Sequence, residues 1–336
     1  MKPGVLWLRI YGVGFVICFV ALWITLLTPI AYGDLTRVGR ISETEFAARR
    51  PPTKFDSAYL VDSPVSAADV LVVGDSFSIR FAWQASLVEA GYRVVTTHWD
   101  KTGPLCADFP DWLRRSGFRG RYVIIESIER LLPERLDEAA ACTNMSRPLQ
   151  AIPRATQLAA DSAVALHGHL NWDAEWAVGW LTYIHTRAIE ASSNAITFND
   201  PRWGDLIVSR PLPDGCTQFS NRLCNKGIFL IDDDRNPALT DKSAAFMARF
   251  DGRAGMPKVI WMVIPNKTTV YLNHYRAVTF VHAFNAMNLG PDLFALSANS
   301  RHDVIDLYSP NDTHLSPAGY RRFGTRMLQA VKDAEK

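Results

Sequence analysis

Two short stretches of the chain hold the residue types that acyl chemistry needs. Residues 72–78 read VVGDSFS and residues 311–320 read NDTHLSPAGY. After two β-branched aliphatics, G-D-S forces a sharp turn and puts the Ser76 hydroxyl in one defined place. A serine hydroxyl is a weak nucleophile until a neighbouring base takes its proton, and that base is most often a histidine held in one tautomer by a carboxylate. Asp312 and His314 are two residues apart, so in an extended segment their side chains share a face. Asp312 is then expected to accept from His314 Nδ1, leaving Nε2 for Ser76. A tetrahedral intermediate also needs donors for its oxyanion, and the backbone N–H groups of Ser76 and Gly103 are the candidates. Each stretch also has a plainer reading, as an ordinary turn and as a chance D-x-H. What joins them is their order relative to the elements around them.

Those elements alternate. Apolar runs at 68–75, 93–99, 122–127, 258–265 and 302–307 read as strands, and helical patterns follow the first (78–92) and the last (317 to about 332). Such alternation points to a parallel sheet covered on both faces. Each run ends in polar, turn-forming residues: Asp75-Ser76, HWDKTGPL, ESIER, PNKTTVY and NDTHLS. In an open parallel sheet ligands bind beyond the carboxyl ends of the strands. The interval 133–257 interrupts the alternation and reads as a helical and loop insertion. Its helix NWDAEWAVGWLTYIHTRAIEAS spaces Trp172, Trp176 and Trp180 four apart, a stripe that suits core packing better than a sugar platform. His167 and His169, with Asp173 and Glu175 nearby, lack a coherent ligand spacing, so no metal site is expected. IDDDRN (231–236) reads as a solvated turn.

The 336 residues and a net charge of +2 provide for one large α/β domain with an insertion, or two domains, and give no basic footprint for nucleic acid. From Ile10 to Tyr32 no residue is charged, long enough for a membrane-spanning helix. A retained anchor fits that length better than a cleaved signal, whose apolar core is shorter. Cys18 lies inside the segment. Of the other four cysteines, Cys216 and Cys224 can close a small loop, leaving Cys106 and Cys142 as a second pair. Four cysteines allow three connectivities, and four separate buried thiols are the alternative. Disulfides would indicate an oxidising compartment.

VVGDSFS and DTHLSPAGY resemble the first and last blocks of the SGNH/GDSL hydrolase superfamily. The resemblance implies a three-layer, flavodoxin-like α/β fold, with Ser76 as nucleophile, Asp312 and His314 completing a triad, and Gly103 as the second-block glycine of the oxyanion hole. G-D-S-F, D-T-H, YVIIESIERLL, VIPNKTTVY and FSNRLCNKGIFLIDDD are similar to the alginate-type polysaccharide O-acetyltransferases. D-x-H follows G-D-S here, as in ordinary SGNH hydrolases, and Glu126 to Arg130 stand where an asparagine donor would fall. That branch implies a bacterial inner-membrane protein with one span and a periplasmic catalytic domain. It would acetylate an exported polysaccharide, without a cofactor, using an acyl donor delivered by a membrane-bound acyltransferase partner. The expected layout is an anchor at 1–33, a stalk at 34–67 and a catalytic domain at 68–336. Glu126, Arg130, Lys267 and Tyr271 become substrate contacts or supports, unless Glu126 and Arg130 simply pair at i,i+4. An esterase and a non-catalytic polysaccharide-binding subunit are the rival readings.

Overall fold

A parallel sheet needs both faces covered, and four of the chain's strands are apolar enough on both sides to demand it. The computed structural model describes residues 2–152, 170–172, 178–199 and 206–336. Its strands in chain order are β1 (Val70–Gly74), β2 (Val94–His98), β3 (Tyr122–Ile128), β4 (Ile196–Asn199), β5 (Leu206–Pro211), β6 (Lys226–Leu230) and β7 (Lys258–Ile264). The chain divides into two units. One gathers Met1–Arg50, Ala163–Ile231 and Ser309–Thr313, and the other gathers Pro51–Ser162, Asp232–Tyr308 and His314–Lys336.

The larger unit holds a four-stranded parallel sheet in the order β2-β1-β3-β7. Register aligns Gly74 with His98, Val73 with Ile125 and Ile128 with Ile264, so the carboxyl ends form one edge. Leu71, Val73, Val123, Ile125, Trp261 and Val263 face a core that also holds Trp99, Phe109, Trp112, Phe250 and Phe280. The alternate residues Val70, Val72, Ile124 and Met262 are fully buried as well, as two covered faces require. The C-terminal helix Pro317–Asp333 starts at Ser316, whose side chain accepts from the Gly319 N–H, and buries Tyr320, Phe323, Met327 and Val331 along one stripe. Cys106 and Cys142 are disulfide-bonded within this unit.

Two expectations for this unit need correction. Residues 302–307 are not a strand: the helix Leu293–Asp303 runs through 302 and 303, and Asp306 takes a left-handed conformation at φ 58° that ends any extended run. Only an isolated antiparallel bridge, Tyr308 to Leu315, closes the loop carrying D-T-H. The helix after β1 is also shorter than its pattern, confined to Ala85–Glu89. Ahead of it the chain turns, because Ser78 O accepts from Gln84 Nε2 and the buried Phe81 sits at φ 55°.

The smaller unit is built on an antiparallel sheet, β4-β5-β6, pairing Ile196 with Ser209 and Ile207 with Leu230. Leu35, Val38, Ile41 and Phe46 pack with Ile189, Phe198, Ile207 and Ile228 in its core. Residues 34–46 are therefore no stalk. They form the short helices Asp34–Gly39 and Glu43–Phe46, because their apolar side chains at helical spacing have a sheet to cover. The interval 133–257 likewise is not one helical and loop insertion. Residues from Asp232 on return to the parallel-sheet unit, and the part between contributes the antiparallel sheet. The disulfide Cys216–Cys224 closes the connection between β5 and β6.

The N-terminal helix Pro3–Leu27 belongs to the smaller unit and is long and apolar enough to span a membrane. Leu8, Phe15, Ile17 and Leu27 are among its exposed side chains.

Candidate active site

Ser76 stands where the chain leaves β1, and its geometry follows from Gly74 and Asp75. A Cβ on Gly74 would lie 2.3 Å from Ser78 Oγ and 2.8 Å from Glu126 Oε2. Only glycine lets the turn close this tightly over β3. Asp75 is buried and stitches the turn together. Its Oδ1 accepts from the Phe77 N–H at 3.0 Å, and its Oδ2 accepts from the Ile128 N–H and from Arg135, both at 2.9 Å. Burial alone would raise the Asp75 pKa, but Arg135 and these hydrogen bonds outweigh it and hold the carboxyl below its ordinary range. The Arg135 guanidinium in turn lies 4.8 Å from the Trp99 ring centroid.

Beneath the turn sits Glu126, fully buried on β3. Its Oε2 accepts from the Asp75 N–H at 2.8 Å and the Ser78 hydroxyl at 2.7 Å. Burial, then the neighbouring Asp75 charge, push its pKa well above the ordinary value, which favours the neutral acid. Oε1 has no hydrogen-bond partner among the described residues. Glu126 is thus a fully buried support under the turn that carries Ser76.

Ser76 Oγ lies 2.8 Å from His314 Nε2. Both residues are half-buried, so solvent and substrate can reach them. His314 follows the loop pinned by the Tyr308–Leu315 bridge, and its ring lies tilted against the buried Phe77, 4.6 Å between centroids. For Nε2 to act as the base toward Ser76, Nδ1 must carry the imidazole proton. The Ser76 N–H meets no acceptor among the described residues. Gly103 does not offer the second donor expected of it: its N–H donates to the Trp99 carbonyl at 2.8 Å, closing the short helix Trp99–Thr102. Asp312 belongs to the smaller unit, where its Oδ2 accepts from the Asp34 N–H at 3.3 Å. There the Thr313 N–H and hydroxyl both donate to the Asp34 carboxylate.

The remaining expected contacts gather in a buried network of the larger unit. Arg130 pairs with Asp233 at 3.3 Å and not with Glu126, whose side chain points under β1. Asp233 also accepts from the Thr268 hydroxyl at 2.9 Å, so IDDDRN is no solvated turn. Glu129 accepts from the Asn266 N–H at 2.9 Å and the Thr269 hydroxyl at 2.7 Å. Its carboxyl is raised from 4.5 to about 7, chiefly by burial. Lys267 and Tyr271 lie on the helix Lys267–Tyr271, all of whose residues are buried. The Tyr271 hydroxyl accepts from the Tyr308 N–H at 3.4 Å. None of these side chains is exposed to meet a polymer. Sequence reasoning passed over Arg135 and Glu129, and no spacing rule marks either one. The histidines at 167 and 169, with Asp173, Glu175 and Trp176, lie outside the described residues; Trp172 and Trp180 are exposed. No protein-family model, curated protein or solved structure matches the chain.

Proposed function

We propose that the protein is a serine O-acyltransferase that moves an acyl group, most simply acetyl, onto hydroxyls of an exported bacterial polysaccharide. The observation that carries this reading is the 2.8 Å contact between Ser76 Oγ and His314 Nε2, beside an uncommitted Ser76 N–H. Nε2 takes the hydroxyl proton as Oγ attacks the acyl carbonyl. The imidazolium then passes that proton to the leaving oxygen of the donor as the bond to it breaks. In the second half Nε2 takes the proton of an acceptor hydroxyl, the acceptor oxygen attacks the acyl-serine, and Ser76 recovers its proton. Asp312, two residues before His314, is proposed to hold the imidazole in the tautomer this needs. The Ser76 N–H is the first oxyanion donor.

The choice of transfer over hydrolysis is supported by the resemblance to SGNH-type O-acetyltransferases and by the N-terminal helix. That helix would hold the enzyme beside a membrane-bound partner supplying the acyl donor, and tethering raises the effective concentration of the two sites. The catalytic domain is placed in the periplasm by the same reading, which suits two disulfides.

The test is the fate of the acylated enzyme. The acetylated full-length protein is challenged with acetyl-free polysaccharide fragments or with buffer alone. Faster loss with sugar, and acetyl appearing on the sugar, is the expected result. Loss to water at one rate regardless of sugar would replace the transferase with an esterase. Polymer acetylation unchanged by Ser76→Ala in cells would leave a binding subunit.

A further inference from the structure

The helix Val178–Ala191 has two dissimilar sides. Gly179, Thr182, Thr186 and Ile189 are buried, at the spacing of one helical face. The opposite stripe is exposed and changes character along its length. Its first half presents Trp180, Tyr183 and Ile184, 46%, 55% and 43% exposed. Its second half presents Arg187 and Glu190, paired with each other at 2.5 Å. A helix that simply faced water would have no reason to crowd its aromatics at one end.

That end is the one tied to the N-terminal helix. A Cβ on Gly179 would lie 2.5 Å from Thr25 Cα, so the two backbones touch there. Just ahead of the helix, Asn171 Nδ2 donates to the Thr28 carbonyl at 3.2 Å, and the Asn171 N–H donates to the Leu26 carbonyl at 2.7 Å. At 1.5 Å per residue, about 20 residues cross the ~30 Å hydrocarbon layer. Counted from Ile10, the first residue past the charge of Arg9, they reach about Pro29. The Thr25–Thr28 segment that Gly179 and Asn171 touch is therefore where the span meets the lipid headgroups. Tryptophan and tyrosine concentrate at that depth, because a ring can lie in the acyl boundary while its N–H or O–H stays wet.

We infer that the exposed aromatic end of the helix Val178–Ala191 is a second membrane contact, seated in the headgroup layer of the bilayer that Pro3–Leu27 crosses. The inference rests on reading Pro3–Leu27 as a membrane span. The bilayer is the occupant because the aromatic stripe continues from the span's own exit, and the charged half of the helix rises from it into water. This contact fixes the smaller unit against the membrane surface.

The test uses the full-length protein in lipid nanodiscs, with an environment-sensitive fluorophore on one cysteine at a time. Cys18, the free cysteine inside the span, is labelled in the native sequence. Trp180→Cys, Ile184→Cys and Glu190→Cys are labelled in a Cys18→Ser background. Spin-labelled phosphatidylcholine, bearing its quencher shallow or deep in the acyl chain, reports depth, and aqueous iodide reports exposure. The labels at 180 and 184 are expected to be quenched several-fold more by the shallow lipid than the label at 190, with iodide showing the reverse order. Quenching at Cys18 by the deep lipid, with 180 and 190 equally open to iodide, would overturn the contact while keeping the span. No lipid quenching at Cys18 would remove the span, and this contact with it.

Discussion

Ser76 owes its position to a fully buried carboxylic acid. Glu126 can accept from both the Asp75 N–H and the Ser78 hydroxyl only because Gly74 lacks a Cβ, and burial beside Asp75 raises its pKa well above the ordinary value, favouring the neutral acid. An amide reproduces the neutral acid, with one oxygen to accept and an N–H₂ to donate. Glu126→Gln is therefore expected to change unfolding stability by less than about 1 kcal/mol. Glu126→Ala leaves the Asp75 N–H and the Ser78 hydroxyl proton buried without an acceptor and is expected to cost about 3 kcal/mol. Urea unfolding of the two variants beside the parent checks both. Equal losses would mean that Glu126 fills space and nothing more. The turn at Ser76 and its meeting with His314 were legible because turn chemistry is local. Gly103 misled for the same reason: a glycine in the right loop does not reveal that its N–H already closes a helix.

At the scale of elements, the carboxyl edge of the parallel sheet is held by buried ion pairs. Arg135 is 13% exposed at the side chain and ties the helix Leu132–Ala141 to Asp75 at the end of β1. Arg135→Met strands a buried carboxylate and is expected to destabilise the protein by about 3 kcal/mol, read from the shift of its denaturation midpoint. Glu129 gives the edge a pH dependence. Its carboxyl titrates near 7 in the folded chain against an ordinary 4.5, so between those values the unfolded chain has released the proton and the folded chain has not. Stability is full below pH 4.5 and falls as pH rises through 7, by about 3 kcal/mol for this group. Glu129→Gln removes that slope: parent and variant unfolding, compared at pH 5 and pH 8, should diverge in the variant's favour at the higher pH. A difference independent of pH would contradict the assignment. The four parallel strands were legible because strands buried on both faces are continuous apolar runs. The strand expected at 302–307 was not one, since a V-I-x-L pattern there serves a helix end and a left-handed Asp306. The buried Arg130–Asp233 pair was invisible because its partners lie far apart in the chain.

For the whole molecule, the departure from expectation is the smaller unit. Residues after the apolar segment read as a stalk because they are polar and contain prolines, as in RRPPTKF, yet Leu35, Val38 and Phe46 are core residues under β4–β6. A soluble form beginning near Asp34 is therefore expected to fold, whereas one beginning at Pro51 should lose the smaller unit's protection in amide hydrogen exchange. Equal protection of β5 and β6 in the two would refute the packing of 34–46. The long apolar N-terminal helix was plain in the sequence, being a matter of length and absence of charge. The central claim is that Ser76 is a nucleophile activated by His314, and intact-mass spectrometry after brief exposure to an activated acetyl ester tests it most directly. The account predicts one acetyl on the full-length protein, mapping to Ser76, absent from Ser76→Ala and formed about 100-fold more slowly or worse in His314→Ala. An acetyl adduct that maps elsewhere, or forms equally fast in all three proteins, would contradict it.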